Sequence, residues 1–179
     1  MKILITGRPG VGKTTLIKKL SCLLQNAGGF YTEEIRESGK RIGFKIVTLD
    51  GEEGILARTD LPFPYRVGKY YVNLKDLEEI GVRSLEGALR EKNLIIVDEI
   101  GKMELLSSKF REVVEKIFDS EKDVIATIKK SSDPFVERIK SRDGVVVFEL
   151  NEKNRDSLLK EILYVLKFNR GENNDTGAD

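Results

Sequence analysis

Two segments of the sequence combine residue types that handle phosphate chemistry. Gly7-Arg8-Pro9-Gly10-Val11-Gly12-Lys13-Thr14 has the spacing G-x-x-x-x-G-K-T, and Thr15 follows it. Glycines at the first, fourth and sixth positions of this run let successive N–H groups point inward at phosphate oxygens. A helix starting near Lys13 adds the positive end of its dipole. Lys13 would then reach the β- and γ-phosphates, and the Thr14 hydroxyl would complete the coordination of a Mg²⁺ bridging them. The second segment, Leu94-Ile95-Ile96-Val97-Asp98-Glu99-Ile100-Gly101, is an apolar run that ends in two carboxylates. Asp98 is expected on the metal side of the bound phosphates. Glu99, one residue on, is expected to face the other side of the strand, where it would orient and deprotonate an attacking water. Nucleotide contacts are therefore expected from Gly7 to Thr15 and from Leu94 to Gly101, with Thr14 and Asp98 on the metal and Lys13 and Glu99 in the chemistry.

Hydrolysis also needs a cation for the charge that develops on the transferred group. Lys102 is the nearest in sequence to Glu99, and Arg8, Arg36, Arg58 and Lys69 are rivals. Thr127, at the carboxyl end of the apolar run Val124–Ile128, could sense the γ-phosphate or the attacking water. There is no histidine and Gln25 is the only glutamine, so carboxylates must carry the proton transfer.

The elements that must position these groups follow from hydrophobic period. Lys2–Thr6 reads as a strand and Thr14–Asn26 as a helix, so the glycine loop has the strand before it and the helix after it that phosphate binding requires. Gly28–Gly29 is expected to end that helix. Phe30–Arg36 and Ile42–Leu49 read as a hairpin around the polar turn Glu37–Arg41. With Ile55–Arg58 and Tyr70–Leu74 they predict an antiparallel meander, interrupted by a Leu61–Pro64 surface loop. Leu77–Arg90 reads as a helix broken near Gly81 and Gly87. Strands at Leu94–Val97, Asp123–Ile128 and Gly144–Leu150 alternate with helices at Phe110–Phe118, Pro134–Lys140 and Ser157–Phe168, the pattern of a parallel sheet covered on both faces. The fold class expected is α/β, a mainly parallel central sheet with an antiparallel meander inserted. One domain should span residues 1–168, followed by a disordered polar tail over 169–179.

Composition bounds the partners. The 31 basic and 30 acidic residues leave a net charge of +1, so no broad positive field recommends nucleic acid as a partner. Cys22 is the only cysteine; the apolar helical pattern around it predicts a buried, inert thiol, which suits a reducing cytoplasm. No run approaches membrane-spanning length, and the first strand runs straight into the glycine loop, leaving no room for a signal peptide. A cytoplasmic monomer acting on nucleoside triphosphates is expected.

Several stretches together resemble one family, the cancer-related nucleoside triphosphatases first described from thermophiles. They are Gly7–Thr15 (GRPGVGKTT), Gly29–Arg36 (GFYTEEIR), Arg41–Leu49 (RIGFKIVTL), Arg66–Lys69 (RVGK), Asp98–Leu105 (DEIGKMEL) and Glu152–Leu158 (EKNRDSL). The resemblance implies a RecA-like P-loop fold that slowly hydrolyses NTPs to NDP and phosphate with little preference for the base. It also implies that Gly29–Arg36 lies near the nucleotide and that Lys102 serves in catalysis. Two other readings use the same cradle. A small-molecule kinase would need an acceptor pocket and an arginine-bearing lid, for which Arg138 and Arg142 are the faint candidates. A guanine-nucleotide switch would need an Asn-Lys-x-Asp sequence, which the chain lacks.

Overall fold

The computed structural model describes residues 1–129 and 133–171. The chain opens with β1 (Lys2–Thr6), the glycine loop and α1 (Lys13–Leu23), then lays down β2 (Ala27–Glu37), β3 (Lys40–Thr48), β4 (Glu53–Arg58), β5 (Tyr65–Val67) and β6 (Tyr70–Val72). A continuous helical stretch follows: α2 (Leu74–Asp76), a π-helical turn over Leu77–Val82, and α3 (Arg83–Glu91). The remainder alternates as β7 (Leu94–Ile100), α4 (Ser108–Asp119), β8 (Asp123–Ile128), α5 (Pro134–Lys140), β9 (Val145–Glu149) and α6 (Arg155–Asn169).

The nine strands of the described residues form one sheet in the order β5-β6-β4-β3-β2-β7-β8-β1-β9. From β2 to β9 every neighbouring pair is parallel, and from β2 to β5 every pair is antiparallel. The meander is thus an extension of the main sheet, joined through the long strand β2. Only Ala27–Phe30 of β2 pairs with β7, whereas β3 pairs with β2 from Phe30 to Glu37. Beyond Phe30 the two halves of the sheet part.

The parallel half buries both faces, as its near-continuous apolar runs require. Ile3, Ile5, Leu94, Ile96 and Ile125 point to a layer made by α1 and α6, which contribute Leu16, Ile17, Leu20, Leu158, Ile162 and Leu166. Their alternating neighbours Leu4, Ile95, Val97, Val124 and Ala126 point to the opposite layer, where Phe110, Val113, Ile117, Phe135 and Ile139 of α4 and α5 join Leu85 and Ala88 of α3. Leu94, Ile95, Ile96, Val97 and Ile100 are fully buried in these layers, so contrary to expectation their side chains hold the strand and do not line the nucleotide site.

Further expectations change. The first helix stops at Leu23, and its buried stripe is Lys13, Leu16, Ile17 and Leu20; Cys22, two positions past Leu20, is exposed instead of buried. Gly28 and Gly29 do not cap that helix but begin β2, opposite Ile95 and Ile96. The second helix runs through Gly87, and its one irregularity is the π-helical turn containing Gly81, packed 3.4 Å from the Phe30 ring as judged from a Cβ placed there. At the carboxyl end α6 reaches Asn169, and Arg170 donates to Asp123 at 2.9 Å. The rest of the tail, 172–179, lies outside the described residues.

The tight spot in this framework is Gly29. Its φ is +112°, and a Cβ there would stand 2.0 Å from the carbonyl oxygen of Ile96. Gly39, at the β2–β3 turn, has φ +76° but open space around it. Gly29→Ala should destabilise the fold by more than ~2 kcal/mol, because backbone strain and a clash with a central strand add, while Gly39→Ala costs ~1 kcal/mol of strain alone. Urea unfolding of both variants checks the order; equal losses would contradict the close approach of β2 to β7.

Candidate active site

The cleft opens where phosphate-binding α/β sheets place it, beyond the carboxyl ends of the parallel strands. One strand, β8, separates β1, which leads into the glycine loop, from β7, which carries the carboxylates. In the loop, Gly10 (φ +79°) and Gly12 (φ +107°) adopt left-handed conformations that side chains resist, and the chain enters α1 directly from Gly12. Lys13 folds back so that its ammonium donates to the carbonyl of Gly7 at 2.8 Å and to that of Arg8 at 3.4 Å. Burial lowers its pKa, against the pull of Glu99.

Asp98 is the hub. Its Oδ2 accepts from the Thr14 hydroxyl at 2.8 Å and from the Thr32 amide at 3.3 Å, and its Oδ1 accepts from the Thr127 hydroxyl at 2.6 Å. The Thr32 amide can reach it because β2 has already left β7. Thr127 therefore holds Asp98, a role its position on the neighbouring strand suits. Burial raises the Asp98 pKa, and the three donors oppose that shift.

Glu99 opens into the same cleft as Asp98, where strict alternation would have sent it to the other side. The pairing of β7 with β8 explains this: Val97 faces Ala126 and Ile100 faces Ile128, so three steps on β7 match two on β8. The extra residue is a bulge, the irregularity that re-aims side chains at strand ends. The Glu99 carboxylate lies 3.5 Å from the Lys129 ammonium. Burial raises its pKa, with Lys129 pulling down and Asp98 pushing further up.

The cleft has a volume of about 660 Å³. Of the expected nucleotide-site residues, Pro9, Gly10, Gly12, Lys13, Thr14, Thr15, Asp98 and Glu99 line it. Gly7, Arg8 and Val11 do not; Val11 packs into the core beneath the loop, and Gly7 sits against the Leu150 carbonyl. Among the candidate cations, Lys102 and Lys69 line the cleft. Arg36 is engaged by Glu34, and Arg58 by Asp60 and Glu37, outside it. Arg138 and Arg142 both pair with Glu115 of α4, which removes them as a lid. Thr32 and Glu33 also line the cleft, in line with the placement of Gly29–Arg36 near the nucleotide. Thr14 and Asp98 supply the hard oxygen donors that Mg²⁺ takes from proteins, which is usually one or two, the remainder coming from phosphates and water.

Two residues here escaped the sequence reading. Lys129 lies two positions beyond Thr127, so the period of β8 could have placed it on the same side. Glu104 is buried in the short turn after β7, and nothing in Glu104-Leu105-Leu106 marks it as unusual. A Cβ built on Gly101 would lie 2.8 Å from Glu99 Oε1 and 3.1 Å from Glu104 Oε2, so both carboxyl groups flank a position that only glycine leaves open. Burial, then repulsion by Glu99, pushes the Glu104 carboxyl up to about 8.

A carboxyl raised from 4.5 to about 8 keeps its proton in the native state over a range where the unfolded chain has lost it. The stability it contributes is complete below pH 4.5 and declines as pH rises towards 8. Glu104→Gln, which mimics the protonated form, should therefore gain on the parent as pH rises across that interval. Urea unfolding of both proteins at pH 5 and pH 8 measures it, and a difference that does not change with pH would mean Glu104 is ionised throughout.

Comparison with known proteins agrees with this geometry. A family model described as NTPase matches residues 2–163. The nucleoside-triphosphatase THEP1 of Thermotoga maritima is 89% identical over 172 residues, spanning 96% of this chain and 99% of the relative. The crystal structure of THEP1 from the hyperthermophile Aquifex aeolicus superposes with a TM-score of 0.86 at 44% identity, covering 93% of this chain and 99% of that one. The solution structure of a human cancer-related nucleoside triphosphatase gives 0.79 at 38% identity, covering 93% and 97%. A P-loop α/β fold with this cradle, and relatives matched over nearly their whole length, make the chain a member of the NTPase family that includes THEP1 and the cancer-related nucleoside triphosphatases.

Proposed function

We propose that the protein is a Mg²⁺-dependent nucleoside triphosphatase that hydrolyses NTPs to NDP and phosphate with little preference for the base. The observation that carries this reading is the 2.8 Å bond from Thr14 to Asp98, which joins the phosphate loop to the carboxylate strand. The names of its relatives support the same activity. Loop amides and the amino end of α1 bind the phosphates, and Lys13 exchanges its carbonyl partners for phosphate oxygens. Thr14 and Asp98 would hold the Mg²⁺, which when bound neutralises charge on the phosphates. Glu99 orients a water in the cleft and accepts its proton, a task favoured by the burial that raises its pKa. Lys102, at the rim of the cleft and three residues after Glu99, stabilises charge on the departing phosphoryl group.

Phosphate release from ATP, GTP, CTP and UTP, with Mg²⁺ and with a chelator, tests the reading. Rates for the four triphosphates should agree within about tenfold and vanish with the chelator; activity confined to GTP would instead indicate a nucleotide switch. Lys13→Ala should lower the rate by about 10²–10³-fold through loss of charge in the cradle. Glu99→Gln should bind nucleotide as the parent does and lose about 10²–10⁴-fold in hydrolysis, because an amide cannot take the proton. A Glu99→Gln variant that turns over at the parent rate removes Glu99 from the mechanism.

A further inference from the structure

The cleft is larger than hydrolysis requires. It continues from the phosphate loop to the antiparallel strands on the far side of β2, where Phe44, Leu56, Val67 and Tyr70 line it together with Met103. A water nucleophile needs about 30 Å³ and no apolar wall, and on the reading above the nucleoside leaves the loop from the end of the triphosphate tail opposite Glu99, whose strand β7 stands between the loop strand β1 and this chamber. The Phe44 and Tyr70 rings meet edge to face at 5.2 Å between centroids. Two cations stand over them: the Arg41 guanidinium, 5.2 Å from the Phe44 centroid, and the Lys69 ammonium, 5.5 Å from that of Tyr70. Arg41 is already engaged, donating to the Tyr70 hydroxyl at 2.8 Å and to Glu34 at 3.2 Å. Lys69 has no carboxylate partner among the described residues.

An apolar, aromatic wall with an unpaired ammonium at its edge is complementary to a ring that carries negative charge. We propose that this end of the cleft is a subsite for a second ligand, a small anionic molecule with an aromatic ring, bound at the same time as the triphosphate. The inference rests on the function proposed above only for the seat of the triphosphate on the loop. Its occupant shares one cleft with Glu99, so it is a neighbour of the reacting phosphate and no remote effector.

The test saturates the protein with Mg²⁺ and a non-hydrolysable ATP analogue and then titrates it with the four ribonucleoside 5′-monophosphates as probes. Calorimetry gives stoichiometry, and NMR follows the Leu56 and Val67 methyl groups and the Tyr70 ring. At least one probe should bind once per chain and shift those signals. Lys69→Glu, a change at an exposed position, should weaken that event by about tenfold or more while affinity for the ATP analogue stays within about twofold. The proposal is overturned if no probe binds, or if the analogue alone saturates the Leu56 and Tyr70 shifts, which would assign the chamber to the base of the triphosphate. Phosphate release from ATP by analogue-free protein of the same batch separates the two claims: intact hydrolysis without a second binding event defeats the subsite alone.

Discussion

A carboxylate removed from water must be satisfied by the protein around it, and in this molecule that requirement falls on Asp98. Its three donors come from segments 84, 66 and 29 residues away in sequence. They sit at the start of α1, on β2 after it leaves β7, and at the end of β8. Each bond to the charged form is worth on the order of 2 kcal/mol, and an orphaned buried charge costs more than that. The network therefore ties three parts of the chain to one point, which is also the point where the phosphate loop meets the carboxylate strand.

The sheet is arranged around that point. Its parallel half is a layered sandwich whose strand ends converge on the loop, and its antiparallel half leans away once Phe30 is passed. The parting of β2 from β7 frees the Thr32 amide for Asp98 and opens the space that becomes the cleft. The bulge opposite Thr127 then turns a second carboxylate into that space. Two irregularities of pairing, both within a few residues of Asp98, convert a regular sheet into a site.

Local signals were readable and long-range ones were not. The G-x-x-x-x-G-K-T spacing, the alternation of Ile3, Leu4 and Ile5, and the run Leu94–Val97 depend on neighbours in sequence, and each predicted its element. The meander was legible as hairpins, but its union with the main sheet depends on β2 pairing on both edges, which no local pattern encodes. Gly28 and Gly29 looked like a helix stop because that is what paired glycines after an apolar helix commonly do; their actual constraint is the approach of β7, more than sixty residues on by the register with Ile95 and Ile96. Cys22 was misplaced because leucines surround it in sequence, although the buried stripe turns away at Leu20. Glu104 and the bond from Thr127 were invisible for the same reason as Thr32: each acquires meaning only from strand order.

The ammonium of Lys13 closes the glycine loop on itself. Tethered to the carbonyls of Gly7 and Arg8, it spans the loop from the first turn of α1 back to the residues that follow β1. On the proposed reading, arrival of a phosphate chain is a swap of oxygen partners at that ammonium. A polyphosphate presents enough to displace both carbonyls and to fill the amides as well.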